Sequence, residues 1–336
     1  MIRTALFTCL LLLAQCAFSQ KIVGENFITP RMRVIMDNDF GGDPDGLFAL
    51  THLLLSPSVD VRAVIGSHLN ANDGFDRSKT QAENAAQKAK ELMQVIGIQK
   101  GIPVIAGSNF AMPNDSTPVK SEAVNFIIKE ALRTDTKLPL YVLCGAGLTE
   151  IASAVLTDPR IADKLTLVWI GGPEYTDLAP PPPHYSSPEY NLNIDIAAAR
   201  AIFNRSNVPV WQVPRNAYRQ AIIPYSELLL KIKPQGKVGS YLTNTLEGVM
   251  KMIQQYVNLG EVYILGDSPL VLLTALQSSF EADPSSSEYV VKMAPTINEH
   301  GNYMFDSNGR NIRVYNRLDT RLMFDDFFAK LEWMNK

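Results

Sequence analysis

The chain has 336 residues, of which 46% are hydrophobic and 19% are charged, and this balance excludes the disordered and fibrous classes. Its 31 Lys and Arg residues against 34 Asp and Glu residues give a net charge of -3, which lacks the basic field that nucleic-acid binding needs. A disulfide framework and a zinc site built mainly on thiolates are also excluded, because we expect two of the three cysteines, Cys9 and Cys16 but not Cys144, to be removed with a leader.

The first residues are typical of a secretory signal peptide. Arg3 supplies a positive start, residues 5–13 form an apolar stretch, and residues 17–19 form a small-x-small cleavage site. The apolar stretch is shorter than the roughly 20 residues that a membrane-spanning helix needs. We therefore predict a signal peptide over residues 1–19, a mature protein in the periplasm or the extracellular space, and no stable membrane insertion after cleavage. Lipid anchoring at Cys16 is not expected, because Gln15 is a poor residue before a lipidated cysteine.

Residues 30–336 are predicted to form one large domain in which strands alternate with helices. The strands are predicted at residues 33–36, 59–65, 103–106, 138–143, 165–170 and 208–211. The helices between them are predicted at residues 47–55, 79–96, 123–132, 149–156 and 196–203. This alternation predicts an α/β protein with a Rossmann-like core, a mostly parallel central sheet flanked by helices. Ligands of such sheets bind beyond the carboxyl ends of the strands.

Two stretches depart from this alternation. The prolines at 180–183 exclude a helix or a central strand, and the stiff loop that they predict is either a plain surface loop or a lip over a pocket. Residues 215–260 are predicted to be a mainly helical insertion within the domain, with helices at 228–232 and 242–257.

The strongest chemical signal is an acidic loop between the first strand and the first helix. Asp37, Asp39, Asp43 and Asp45 place four carboxylates within nine residues, where self-repulsion is unfavourable unless a positive group is present or some of them stay protonated. Oxygen ligands on a flexible loop suit calcium or magnesium. An EF-hand loop is excluded, because its twelfth position, which needs an acidic ligand, is Phe48.

A phosphatase of the haloacid dehalogenase type is one family with a similar start. The loop begins with Asp-x-Asp after a strand, and residues 266–268 resemble the later acidic motif of that family. However, Gly41 stands where that family has Thr or Val, and Val271 stands where it has another acid. This resemblance is therefore the weaker one.

The loop more closely resembles the signature of the inosine/uridine-preferring nucleoside hydrolase family, Asp-Thr-Asp-x-Gly followed by Asp-Asp-Ala-x-Ala-Leu. Residues 37–41 and 45–50 are similar to those two parts. Further resemblances follow in the family's order at residues 64–66, 103–107, 145–150, 169–172 and 188–195. The resemblance covers most of the mature chain and implies the nucleoside hydrolase-like fold.

The resemblance also implies roles for individual residues. It implies one Ca²⁺ ion held by Asp39, Asp45, Asp267 and the carbonyl of Gly145, with Asp39 also taking the proton from the attacking water. Asp45 would in addition hold a ribose hydroxyl. The outer ribose hydroxyls would be held by two further residues, Glu189 and Asn191.

Several positions depart from the family pattern. Gly46 stands where the family has a second Asp, a principal calcium ligand, and Asp43 is close enough in sequence to compensate for it. Gly266 replaces the His that some members use to protonate a purine leaving group, and Ser67 and Glu150 each replace an Asn. We expect altered base recognition and altered leaving-group activation.

Two functions are consistent with these residues. The first is an exported, metal-dependent hydrolase that cleaves the N-glycosidic bond of ribonucleosides or a related glycoside. The second is a nucleoside hydrolase-like protein that binds a sugar and has lost efficient chemistry. In either case the expected partner is a small-molecule nucleoside or glycoside, and the family resemblance also implies a possible homo-oligomer.

Overall fold

The computed structural model describes residues 27–98, 101–183, 185, 188–277, 287–305 and 309–336. The expected signal peptide at residues 1–19 lies outside this range, and so does His184.

Strands and helices alternate through the first two thirds of the domain. The strands are β1 (Met32–Asn38), β2 (Val59–Gly66), β3 (Val104–Ala106), β4 (Leu140–Gly145), β5 (Leu165–Ile170), β6 (Val210–Val213), β7 (Ile222–Pro224), β8 (Val262–Ile264), β9 (Glu288–Met293), β10 (Thr296–Ile297), β11 (Tyr303–Met304) and β12 (Asn311–Arg317). The helices are α1 (Asp45–Leu54), α2 (Gln81–Ile96), α3 (Glu122–Ala131), α4 (Thr149–Thr157), α5 (Tyr190–Ile194), α6 (Ile196–Arg205), α7 (Arg215–Tyr218), α8 (Tyr225–Glu227), α9 (Gly236–Ile253), α10 (Pro269–Leu272) and α11 (Thr320–Met334). A 3₁₀ turn covers Pro159–Ile161, and a π-helical turn covers Leu228–Ile232.

Eight strands form one sheet in the order β3-β2-β1-β4-β5-β6-β12-β9. All neighbours in it are parallel except β9, which pairs antiparallel with β12. The strand order reverses direction at β1, which lies between β2 and β4, and the register there places Asn38 beside Gly145. A crevice opens at such a reversal, beyond the carboxyl ends of the strands.

Helices cover both faces of this sheet. Successive side chains of β1 point to opposite faces. Val34 and Met36 therefore belong to the core that also contains residues of α1, α2, α9 and α11, while Ile35 belongs to the core that contains residues of α3, α4 and α6. The prediction of an α/β domain with a mostly parallel sheet flanked by helices is confirmed.

The end of the sheet was not predicted from the sequence. Strand β12 begins by alternating polar and apolar residues, β9 has only three consecutive apolar residues between Glu288 and Lys292, and β9 is the partly exposed edge strand of the sheet. Apolar runs therefore predict the central strands and miss these two. Strand β6 also ends two residues later than expected, at Val213.

The interval 215–260 contains α7, α8, the π-helical turn and α9, but it also contains a strand. Strand β7 pairs antiparallel with β8, which lies just after the interval. The longest helix of the interval begins at Gly236 and ends at Ile253, earlier at both ends than predicted. Residues 180–183 form no helix or strand, as their prolines predict. Among the described residues, no helix has both the length and the apolar character that crossing a membrane requires.

Helix α1 is tied to α11 by a buried ionic cluster. His52 Nε2 lies 2.7 Å from Asp326 Oδ2, and Lys330 Nζ lies 2.6 Å from the same oxygen. Lys330 also donates to Ser56 Oγ. Burial lowers the pKa of His52 from 6.5 to about 4. His52 is thus a packed histidine within α1.

The depressed pKa of His52 predicts a loss of stability in mild acid. Below pH 6.5 the unfolded chain protonates His52 while the folded chain does not, so acid favours unfolding until the pH reaches the folded pKa. The unfolding free energy of the wild type minus that of His52→Gln should therefore fall by about 2 kcal/mol between about pH 7 and about pH 5. Urea unfolding of both proteins across this range measures it. If the difference between the two proteins stays constant with pH, the lowered pKa of His52 is contradicted.

Candidate functional site

A pocket of about 420 Å³ opens beyond the carboxyl ends of the central strands. Every residue that the sequence predicts for the site lies on its wall. These residues are Asp39, Asp43, Asp45, Gly145, Glu189, Asn191 and Asp267. The fold therefore brings together side chains that are up to about 230 positions apart in the chain, as the shared edge of parallel strands leads one to expect.

The acidic loop is held by its own hydrogen bonds. Asp45 begins α1, and its Oδ1 accepts from the Gly46 N–H at 2.8 Å, while its Oδ2 accepts from the Asp267 N–H at 3.1 Å. Asp43 Oδ1 accepts from the Tyr263 hydroxyl at 2.9 Å. Because these donors are neutral, they orient the carboxylates without cancelling their charge.

Asn38 links the end of β1 to the loop before α10. Its Nδ2 donates to Asp267 Oδ2 at 2.7 Å, and both side chains lie against Gly145, where a Cβ would come within 2.3 Å of Asn38 Nδ2 and 2.6 Å of Asp267 Oδ1. The closeness of Asn38 and Asp267 requires glycine at position 145. The other side-chain atom of this amide, Asn38 Oδ1, is buried without a hydrogen-bond partner.

We call the four carboxyl groups of Asp39, Asp43, Asp45 and Asp267 the floor of the pocket. Their pKa values are strongly perturbed. Burial, and then repulsion from Asp267, raise the pKa values of Asp39 and Asp45 well above the usual range. Burial also raises the pKa of Asp43 to about 6 and that of Asp267 to about 7. No lysine or arginine in the described part of the chain stabilises their charged forms. The floor therefore needs a cation or protons.

The donor set fits a hard cation in charge and in atom type, since it offers carboxylate oxygens and the Gly145 carbonyl. The described residues nevertheless include no group of three or more His, Cys, Asp or Glu side chains gathered as around a metal ion. Gly46 has no side chain that could bind a metal ion, and the space into which a side chain would extend is already filled. A Cβ on Gly46 would lie 2.4 Å from Asn38 Oδ1. The Asn38 amide thus occupies the space beside the position where the family has its second Asp.

The other two predicted residues lie where β5 ends. Glu189 Oε2 accepts from the Gly172 N–H at 2.7 Å and from the Leu192 N–H at 3.0 Å, and Glu189 Oε1 accepts from the Tyr218 hydroxyl at 2.9 Å. Burial raises the pKa of Glu189. Asn191 Nδ2 donates to the Ile170 carbonyl at 2.7 Å. Protein donors therefore already engage both oxygens of Glu189, the residue that the resemblance assigns to ribose hydroxyls.

One wall of the pocket was not predicted from the sequence. That wall carries aromatic and basic side chains, namely Phe75, Tyr185, Tyr190, Arg215, Tyr218 and Arg219. Of these residues, only Tyr190 could have been predicted from the sequence, because it lies within the motif at 188–195, next to Glu189. The others lie in loops or in a short helix and belong to no recognisable spacing.

The remaining polar positions lie elsewhere. His68 is buried away from the pocket, within 3.0 Å of Thr149 Oγ1, and His300 lies on the surface. Cys144 is a buried free thiol. Ser67 and Glu150, which replace family asparagines, do not line the pocket: the Ser67 hydroxyl donates to Asp37, and Glu150 accepts from the Ser108 N–H at 2.7 Å.

The close approach of Asn38 to position 46 predicts a steric coupling. Gly46→Ala should lower the free energy of unfolding by about 1–3 kcal/mol, because the new methyl group collides with the Asn38 amide. In an Asn38→Ser background the same change should cost less, because the shorter side chain leaves room. Denaturant unfolding of the four proteins measures this double-mutant cycle.

Gly248→Ala is the matched control, because Gly248 also lies in a helix and a Cβ there would meet nothing within 4 Å. It should be neutral or slightly stabilising. An equal cost of Gly46→Ala in both backgrounds would exclude the coupling.

Comparison with known proteins agrees with this architecture. Residues 34–325 match the profile of a family described as inosine-uridine preferring nucleoside hydrolase. A protein of Leishmania major with that name is 29% identical over 198 residues, which make up 52% of this chain and 57% of that protein. The chain thus matches little more than half the length of this curated relative.

Two solved structures share the fold. A purine-preferring ribonucleoside hydrolase from Gardnerella vaginalis superimposes with a TM-score of 0.69 at 18% identity, covering 90% of this chain and 99% of that chain. An inosine-uridine preferring nucleoside hydrolase from Bacillus anthracis gives 0.64 at 18% identity, with the same coverage. The dehalogenase interpretation finds no support in these matches. The chain belongs to the inosine-uridine preferring nucleoside hydrolase family.

Proposed function

We propose that this protein hydrolyses the N-glycosidic bond of ribonucleosides, or of a related glycoside, to the free base and the sugar. The observation that carries the proposal is the buried floor of Asp39, Asp43, Asp45 and Asp267 in a chain of this family. Cleavage of this bond develops positive charge on the sugar ring. A fixed cluster of negative oxygens that no protein cation neutralises stabilises such a charge.

Asp39 is the proposed general base. It follows β1 directly, is 5% exposed, and lies on the pocket wall, so a water molecule above it would lose its proton to this carboxylate as the bond to the base breaks. The base must be ionised to act, and burial together with Asp267 opposes ionisation. The proposed mechanism therefore depends on a positive charge near Asp39.

The proposed cation is one Ca²⁺ ion held by Asp39, Asp45, Asp267 and the Gly145 carbonyl, with Asp43 within the same acidic loop. Bound there, it would supply the positive charge that keeps the carboxylates ionised at neutral pH. Asp45 and Asn191 are the proposed contacts to the sugar hydroxyls. The side-chain oxygen of Asn191 would accept from a hydroxyl, since its Nδ2 already donates to the Ile170 carbonyl. Glu189 supports the same wall.

The aromatic side chains are the proposed contacts to the base. Phe75 and Tyr190 line the pocket, and the Tyr190 hydroxyl is fixed by a hydrogen bond to Asp73 at 2.7 Å. No histidine in the described part of the chain lines the pocket, and Gly266 stands where some members have one. A leaving base that needs no histidine proton is therefore the proposed preference.

The proposal includes the expectations that rest on the sequence alone. It places the mature protein outside the cytoplasm, after removal of a signal peptide over residues 1–19, with a domain over residues 30–336. It also retains a homo-oligomer as the expected assembly.

A sugar-binding protein without efficient chemistry is the second candidate. The absence of a ligand at Gly46 favours it, because a lower ligand charge weakens a hard-metal site. Tight binding of ribose without release of base from any nucleoside would support this candidate.

Asp39→Asn should lower the rate of sugar release from inosine or uridine by at least about 100-fold, because the amide cannot accept the proton of water. Asp163→Asn, on an exposed acid away from the pocket, is the control and should retain wild-type turnover. A reducing-sugar assay with both variants measures it. Turnover that survives Asp39→Asn would refute the assigned base.

Calcium should stabilise the folded protein, because it binds the carboxylates of the folded pocket and not those of the unfolded chain. At a calcium concentration about 100-fold above the dissociation constant, the gain is about 2.7 kcal/mol. Thermal unfolding with calcium and with a chelator measures the shift, and Asp267→Asn should remove most of it. The metal proposal fails if the wild type shows no shift at any calcium concentration.

A further inference from the structure

Arg215 is a buried arginine at the pocket wall with a fixed orientation. It begins α7, directly after β6 and Pro214, and it is 2% exposed. Its Nε and Nη2 donate to the two carboxylate oxygens of Glu174 at 2.8 and 2.5 Å, and the Tyr185 ring lies 3.9 Å from the guanidinium carbon. A side chain held by a bidentate ion pair and by a ring cannot rotate away from the pocket.

The third nitrogen of this guanidinium, Nη1, does not take part in the ion pair with Glu174. Arg215 Nη1 is buried and donates to no acceptor in the described part of the chain. A buried donor without a partner is costly, and natural structures keep such groups where a ligand or water satisfies them. Because Arg215 lines the pocket, a bound ligand is the available source of that acceptor.

A second cation lies on the same wall. Arg219 is one turn further along the chain and also lines the pocket, and its charge attracts Glu174 without a salt bridge being present in the described part of the chain. Arg215 itself is balanced by Glu174, so Arg219 supplies the net positive charge of this wall. The charge of both arginines is opposite in sign to that of the acidic floor.

Hydrogen bonds place Arg215 beside Glu189. The Arg215 N–H donates to the Gly172 carbonyl at 3.0 Å, and the Gly172 N–H donates to Glu189 Oε2 at 2.7 Å. The family resemblance assigns Glu189 to the outer ribose hydroxyls, yet both of its oxygens already accept protein hydrogen bonds. The free donors at this end of the pocket are those of Arg215 and Arg219, and they suit an acceptor-rich substituent better than a hydroxyl group.

We propose that Arg215 and Arg219 bind a phosphate on the exocyclic carbon of the sugar, so that ribonucleoside 5′-monophosphates are better substrates than ribonucleosides. This inference rests on the proposed function for the direction in which the sugar lies in the pocket. The acidic floor binds the ring end of the ligand, and the arginines bind the anionic end. Such a division of charge also keeps the phosphate away from the carboxylates.

Titration calorimetry with ribose and ribose 5-phosphate, with calcium present throughout, tests the binding step. The wild type should bind ribose 5-phosphate at least about tenfold more tightly than ribose, as two charge-assisted contacts imply. Arg219→Gln, at an exposed position, should reduce this advantage. Glu174→Gln combined with Arg215→Gln should abolish most of it, and changing both residues avoids leaving Glu174 as an unpaired buried charge.

Lys164→Gln is the control, since Lys164 is an exposed cation away from the pocket, and it should retain the full advantage. Equal affinity for the two sugars in the wild type would overturn the inference. So would an undiminished advantage in Arg219→Gln, because the phosphate would then bind without the exposed cation assigned to it. The Arg219→Gln result decides the matter even if the double variant does not fold.

Kinetics separate this inference from the proposed hydrolase activity. Inosine 5′-monophosphate should be cleaved with a kcat/KM at least about tenfold above that of inosine, and Arg219→Gln should narrow the ratio mainly through KM. Cleavage of inosine without any preference for its monophosphate would overturn the inference and leave the hydrolase proposal intact. Arginine-dependent binding of ribose 5-phosphate without cleavage of either compound would support the anion site and refute the hydrolase.

Discussion

Uncompensated negative charge at the floor of one buried pocket is the constraint on which the site depends. Burial raises the pKa values of Asp39, Asp43, Asp45 and Asp267. Repulsion from neighbouring carboxylates adds to the rise at Asp39, Asp45 and Asp267, and no lysine or arginine in the described residues offsets it. Such a cluster is unfavourable in the free protein unless protons or a cation are present. In the proposed reaction the cluster acts in the bound state, because the same field would stabilise positive charge on a sugar ring. The fold thus tolerates repulsion among buried carboxylates at the position where a ligand would bind.

The sheet explains how distant segments reach this floor. Strand β1 lies between β2 and β4, so the loops that follow β1 and β4 leave the same edge, and the loop after β8 closes over them with Asp267. The fold and the acidic residues were predictable, because apolar strands followed by acids form a local pattern. The basic and aromatic wall was not, since Arg215 and Tyr218 lie in a short helix without a recognisable spacing. Strands β9 and β12 were missed because each has no more than three consecutive apolar residues, between charged or polar ones.

Positions 38 and 46 show how a departure from the family pattern is accommodated. Glycine at 46 removes a carboxylate, and the Asn38 amide lies where a side chain at 46 would begin. The same amide donates to Asp267. A neutral donor therefore lies beside this acid, at a position where the family pattern has a further carboxylate. One negative charge fewer lowers the electrostatic cost of the free pocket and also weakens its hold on a cation. Spacing alone identified the missing ligand but not the residue that occupies its place.

A crystal structure of the protein grown with calcium and ribose tests the central claim most directly, with anomalous scattering to identify the ion. The account predicts one calcium peak bounded by Asp39, Asp45, Asp267 and the Gly145 carbonyl, with the ribose ring directly above it and its exocyclic carbon toward Arg215. Ribose bound elsewhere, or bound in this pocket above carboxylates that hold no cation, would contradict it.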